Sequence, residues 1–142
     1  MNKLKLLCTA GLSIVAGIAT AADFDGSKPL LCAAATLSEC IPGGICEQVT
    51  SESINAPDFL RINVKKKIIT VDAPGQEAPP PSQIKSSEII DEKLFLQGSD
   101  AGKGIRDGLA WSLAIEQNSG KMVFTASGDD VAFVIFGACT VL

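Results

Sequence analysis

Beyond residue 22 the chain carries four cysteines, Cys32, Cys40, Cys46 and Cys139, and it has no histidine anywhere. An even set of cysteines in an exported chain reads as two disulfides, and four cysteines allow three pairings. Within "CIPGGIC", Pro42, Gly43 and Gly44 can turn the chain tightly enough to bring Cys40 and Cys46 together, leaving Cys32 for Cys139. The second bond would tie the start of the domain to its end. It would close a loop of about 100 residues, a constraint on the order of 4 to 5 kcal/mol in the chain-entropy account. Zinc would ask for repeated close pairs of the C-x2-C kind, and a redox dithiol for C-x-x-C. Here five residues separate Cys40 from Cys46 and the other two stand alone, so a structural staple fits the spacing better than either alternative.

Whether thiols stay oxidised depends on the compartment. The opening "MNKLKLLCTAGLSIVAGIATAADFDG" has Lys3 and Lys5, an apolar run from Leu6 to Ile18, and small residues at Ala19, Ala21 and Ala22. That order predicts a secretory signal over residues 1–22, cut after Ala21 or Ala22, and one domain over residues 23–142. The apolar run is shorter than the ~20 residues a spanning helix needs, and no later stretch is long enough, so no membrane span is expected in the mature chain. Cys8 lies within "LLCTA" and lacks the small preceding residue of a lipidated cysteine. The expected location is therefore periplasmic or secreted.

Losing Lys3 and Lys5 leaves ten basic residues against sixteen acidic ones, a formal charge of −6. A net negative domain disfavours nucleic acid and anionic lipid and favours cationic partners. About 120 residues suffice for one hydrophobic core.

Along the chain, "DGSKPLLCAAATLSEC" is alanine-rich, with Ser27 placed to cap and Pro29 in the first turn, which predicts a short N-terminal helix. From residue 59 the period changes to two. Leu60, Ile62 and Val64 alternate with Arg61, Asn63 and Lys65, and apolar residues resume at Ile68, so residues 59–72 read as a hairpin with a solvated lysine turn. The stretch 73–82, "APGQEAPPPS", cannot sit inside a sheet and predicts an exposed proline-rich loop. "SSEIIDEKLFLQG" predicts a hairpin turning near Asp91 and Glu92. The last third reads as a three-stranded meander with turns at "QNSGK" and "SGDD". Its final strand, from Val131 to Cys139, is apolar on both faces and so is expected to be covered twice. If the helix covers the Cys139 face, the bond from Cys32 falls at that contact. The fold class expected is mainly β: a six- to eight-stranded antiparallel meander, sheet or small barrel, with one short N-terminal helix.

Taken together, "DFDGSKPLLCA", "EC-x5-C", "LQG", "GLAWSLAI", "SGK" and "VAFVIFGAC" make the chain resemble a family of small exported proteobacterial proteins with no assigned function. The resemblance spans nearly all of the chain beyond residue 22. It implies an exported two-disulfide β domain and brings no catalytic or binding residues with it.

The missing histidines remove Ser-His-Asp and Cys-His catalysis and histidine-ligated zinc. Tyrosine is absent too, so acid and base work would fall to carboxylates and lysines, a paired-carboxylate hydrolase being the least excluded enzyme. Its candidates are Asp107, Asp129 and Asp130, each of which also reads as ordinary turn chemistry. Asp23 and Asp25 in "DFDG" lack the further oxygen ligands of a calcium loop. The glycine-rich stretch 98–108 resembles a phosphate cradle in outline, but Lys103 is followed by Gly104 in place of Ser or Thr. No cofactor and no metal are expected. The possible ligand-binding residues are Trp111, with Lys103, Arg106 and Asp107 on the glycine loop; Trp111 is also in phase with Leu113 and Ile115 for a core position.

Two functions follow. One is a non-enzymatic binding module holding a small ligand in the mouth of a barrel, with a cavity lined by Trp111 or Phe133. The other is an acidic interaction or inhibitor domain that captures a cationic protein, in the manner of periplasmic lysozyme inhibitors, around a filled core.

Overall fold

The computed structural model describes residues 23–72, 79–102 and 108–142; the expected signal segment 1–22 lies outside them. The chain forms nine strands: β1 (Leu30–Ile41), β2 (Ile45–Val49), β3 (Phe59–Asn63), β4 (Ile68–Val71), β5 (Ser82–Ile90), β6 (Lys93–Asp100), β7 (Leu109–Glu116), β8 (Lys121–Ser127) and β9 (Ala132–Val141). From β3 to β9 each strand pairs antiparallel with the next. β9 then returns to β1 along almost its whole length, and residues 30–33 of β1 pair with β3. Eight strands thereby close into a barrel. β2 is the ninth, a flap that pairs with residues 37–41 of β1. Both hairpins and the terminal meander lie where the alternation and turn residues put them.

The expected N-terminal helix is corrected. "LLCAAATLSEC" lies inside β1, and no helix occurs among the described residues. Alanine's advantage over ordinary residues in a helix is at most about 0.7 kcal/mol each. As a strand, β1 pairs with β9, β2 and β3 and removes the two open edges that β3 and β9 would otherwise present. That ladder outweighs local preference.

Both disulfides join direct cross-strand partners. Cys32 faces Cys139 with an S–S distance of 2.02 Å and Cα atoms 3.9 Å apart; Cys40 faces Cys46 with an S–S distance of 2.03 Å. The pairing is the expected one, but the Cys32–Cys139 bond links two neighbouring strands and not a helix to a sheet. Two disulfides fit an oxidising, extracytoplasmic environment.

Side-chain alternation fills the interior. Leu30, Cys32, Ile62, Leu96, Leu113 and Ile115 are fully buried there, joined by Ile69, Ile84, Leu94, Trp111 and Met122. An eight-stranded barrel has an interior just wide enough for side chains to fill. In β1 the register shifts between Ala34 and Thr36, and the extra residue restores phase so that Leu37 faces inward opposite Ile135. Without it Leu37 would turn to solvent.

Residues 23–29 close one end of the barrel without a helix. Phe24 packs on the core, and Gly26 is buried beside Val64 and Leu94. Gly120, at φ 70°, turns the β7–β8 connection beneath Phe24; a Cβ there would lie 2.6 Å from the Phe24 ring and 2.6 Å from the Cys139 carbonyl oxygen.

Replacing each bonded pair by alanine separates their contributions in denaturant unfolding. Loss of Cys32–Cys139, with a sequence separation of 107, should cost about 4 to 5 kcal/mol; loss of Cys40–Cys46, with a separation of 6, about 2 kcal/mol. Equal losses would contradict the chain-closure account.

Candidate functional site

Trp111 projects from β7 into the barrel and is 5% exposed. Its indole lies across Gly98 on the neighbouring strand, where an added Cβ would sit 2.2 Å from Cζ2. The ring stacks on Phe124 with centroids 6.0 Å apart, and Nε1–H donates to Ser82 Oγ at 3.1 Å. Ser82 Oγ in turn donates to the Asp100 carboxylate. Trp111 is thus packed on its faces and satisfied at its nitrogen, the arrangement of a core residue that sits near one mouth.

Of its proposed companions, Lys103, Arg106 and Asp107 lie outside the described residues, as do residues 73–78 of the proline-rich loop. Pro79, Pro80 and Pro81 are exposed. Asp129 and Asp130 occupy the β8–β9 turn and are exposed. Asp25 accepts the Ser27 amide at 2.7 Å, and its hydrogen bonds to Ser27 hold its carboxyl below the usual range; Asp23 faces Lys28 at 4.0 Å. These are turn contacts. Among the described residues no group of three or more Cys, Asp or Glu side chains is placed to hold a metal ion.

Among the described residues, charge is divided between the barrel ends. Glu39 and Glu47 are direct cross-strand partners, next to the pair Cys40 and Cys46. Like charges placed opposite each other cost stability in a sheet. Glu39 also pairs in register with Phe133, close to the turn that carries Asp129 and Asp130, and Asp100 ends β6 at the same end. The connections at the other end are mixed: Lys65, Lys66, Lys67, Lys93 and Lys121 stand there with Asp91, Glu92 and Glu116. Between the ends, Arg61 meets Asp72 in a forked pair, Nε to Oδ1 at 3.0 Å and NH2 to Oδ2 at 3.0 Å. The hydrogen bonds from Arg61 hold Asp72 below the ordinary aspartate value.

An open groove of about 640 Å³ lies across β1, β9, β8 and β7, its lining including Ala33, Ala35, Ala114 and Ala138 together with Val123 and Phe136. A second, of about 200 Å³, sits by Arg61, Asn63 and Leu142. The final strand was expected to be covered on both faces. It is covered on one: Phe136 is 50% exposed on the outer wall, beside Val123 at 37%. With β1 in the barrel wall, no helix is left to lie over it. The outward phase of Val123 and Phe136 was readable from the alternation; the bareness of that face was not.

No family model, no curated protein and no solved structure matches the chain. The resemblance therefore rests on the quoted motifs, of which the two cysteine pairs and the small β domain are present in the structure.

Two measurements test this geometry. Gly98→Ala should destabilise by about 1 to 3 kcal/mol or more, because its Cβ would also lie 2.4 Å from the Gln83 carbonyl oxygen; a neutral effect would mean that Trp111 does not lie across β6. In an NMR titration, Asp72 should protonate below 3.8 and move up toward it in Arg61→Ala. A folded value held below the unfolded one contributes stability above pH 3.8 that is lost as pH falls through the folded midpoint, and the pair's exposure keeps that contribution small.

Proposed function

We propose that the chain is an exported, non-enzymatic interaction domain, periplasmic or secreted, whose acidic end captures a cationic protein. The observation that carries this reading is the combination of a barrel interior occupied by its own side chains with carboxylates at one end. Leu96, Leu113, Ile115 and Trp111 fill the space a lumenal ligand would need. A partner must then be met on the outside, and Glu39, Glu47, Asp100, Asp129 and Asp130 give that end a field that attracts cations. The Glu39–Glu47 register adds a reason: it sets two acidic residues side by side on neighbouring strands, where one bound Lys or Arg side chain can meet both.

The test is binding of the oxidised protein to a small cationic protein, with a lysozyme as the probe, followed calorimetrically as salt is raised. Affinity should fall steeply between about 50 and 300 mM salt. Glu47→Lys combined with Asp129→Lys should weaken binding at least about tenfold, since both side chains are exposed and their change should leave the fold intact. Salt-independent binding would sink the proposal. So would a small apolar ligand that shifts the emission of Trp111, because it would place the binding site in the lumen.

A further inference from the structure

The outer wall carries an apolar row across four strands. Register places Phe136 of β9, Val123 of β8, Ala114 of β7 and Phe95 of β6 side by side, all pointing away from the core. Such a row is a bulky residue, a medium one, a small one and a bulky one, centred on the seam between β7 and β8. One step toward the β7–β8 turn, Glu116 ends β7 and Lys121 begins β8, again on either side of the seam. One step the other way, Ser112 and Thr125 hydrogen-bond each other across it at 2.7 Å.

We propose that this wall is a homodimer interface, with a two-fold axis lying in the interface along the β7–β8 seam. An isologous contact requires one patch to complement itself, and the seam supplies the match. Rotation about it exchanges β7 with β8 and β6 with β9. Phe136 then meets Phe95 of the second copy, an aromatic pair at each edge. Val123 meets Ala114, so the larger side chain sits over the smaller. Lys121 meets Glu116, joining opposite charges twice across the axis. The Ser119 hydroxyl beside it holds the Glu116 carboxyl below its ordinary value, so it is charged at neutral pH, and a carboxylate has acceptor sites enough for a lysine as well. Ser112 and Thr125 are satisfied by each other, so covering them leaves no orphaned hydroxyl.

The size of the patch sets the strength of the contact. Four neighbouring strands span about 14 Å at their usual spacing, and the stretch from Ser112 to Glu116 about 14 Å along them, a patch on the order of 200 Å². That is the core of an interface and less than the ~800 Å² per partner of a standard one, so the association should be micromolar. The groove across β1, β9, β8 and β7 continues the same surface toward β1 and extends the apolar area. This wall is distinct from the acidic end, and a dimer leaves that end open.

Sedimentation of protein purified from an oxidising compartment, over about 5 to 200 µM, reads the outcome directly. The average mass should rise from that of one chain toward twice that value. Phe136→Ser should weaken association at least about tenfold, without loss of fold because the side chain is half exposed. Lys121→Glu should also weaken it, and adding Glu116→Lys to the same chain should restore it, since the swapped charges again face each other across the axis. A chain that stays monomeric throughout the range overturns the proposal, whatever else binds the wall. A dimer indifferent to Phe136→Ser, or a charge swap that fails to restore association, overturns it as well.

Discussion

The ladder between β1 and β9 carries the architecture. Every other neighbouring pair joins strands consecutive in sequence, apart from β1 with β3, whose separation follows from the β2 flap between them. Those local pairings form at little entropic cost because short loops close cheaply. The β1–β9 pairing joins residues separated by more than a hundred positions, as Cys32 and Cys139 are by 107, and it converts an open meander with two exposed edges into a closed barrel. The disulfide lies inside that ladder, between two of its direct partners. It lowers the entropy of the open chain while the ladder removes the edges, so covalent and hydrogen-bonded closure support the same topology.

Closure with eight strands has a functional consequence. The interior is narrow enough that alternating Leu, Ile and Met side chains fill it, and Trp111 takes one of those places with Gly98 cut away beneath its ring. A filled barrel presents to a partner its ends and its outer wall. Here these surfaces differ in character: an end with Glu39, Glu47, Asp100, Asp129 and Asp130, and a wall with Phe136, Val123, Ala114 and Phe95. An acidic surface steers and selects cationic partners. An apolar row bounded by charges of both signs suits a contact that excludes water, and the two surfaces can be occupied together.

Much of the fold could be read locally. The turns at Asp91 and Glu92, at "QNSGK" and at "SGDD" announced themselves by residue type, and the alternation on either side named the inward faces. β1 could not be read this way. Its alanines, with Ser27 and Pro29 before them, carry a helix signal, and the strand they form depends on a partner at the other end of the chain. The site was less readable than the fold. Trp111 could be assigned a core phase, but its hydrogen bond to Ser82 depends on a strand 29 residues away. The acidic end and the bare wall are sums over several strands, and no short window contains them.

Cysteine count, turn glycines and period-two alternation were enough to predict a disulfide-stapled antiparallel β domain and to favour, among three pairings, the one the structure shows. Each of these rests on short-range sterics or on a small number of combinations. The assembled barrel settled the rest: that the alanine-rich segment is a strand, that Trp111 lies buried across Gly98, and that Phe136 faces solvent. Those outcomes follow from which strands lie side by side, and that depends on closing a loop of more than a hundred residues, a step whose free energy is a property of the whole chain and of no segment within it.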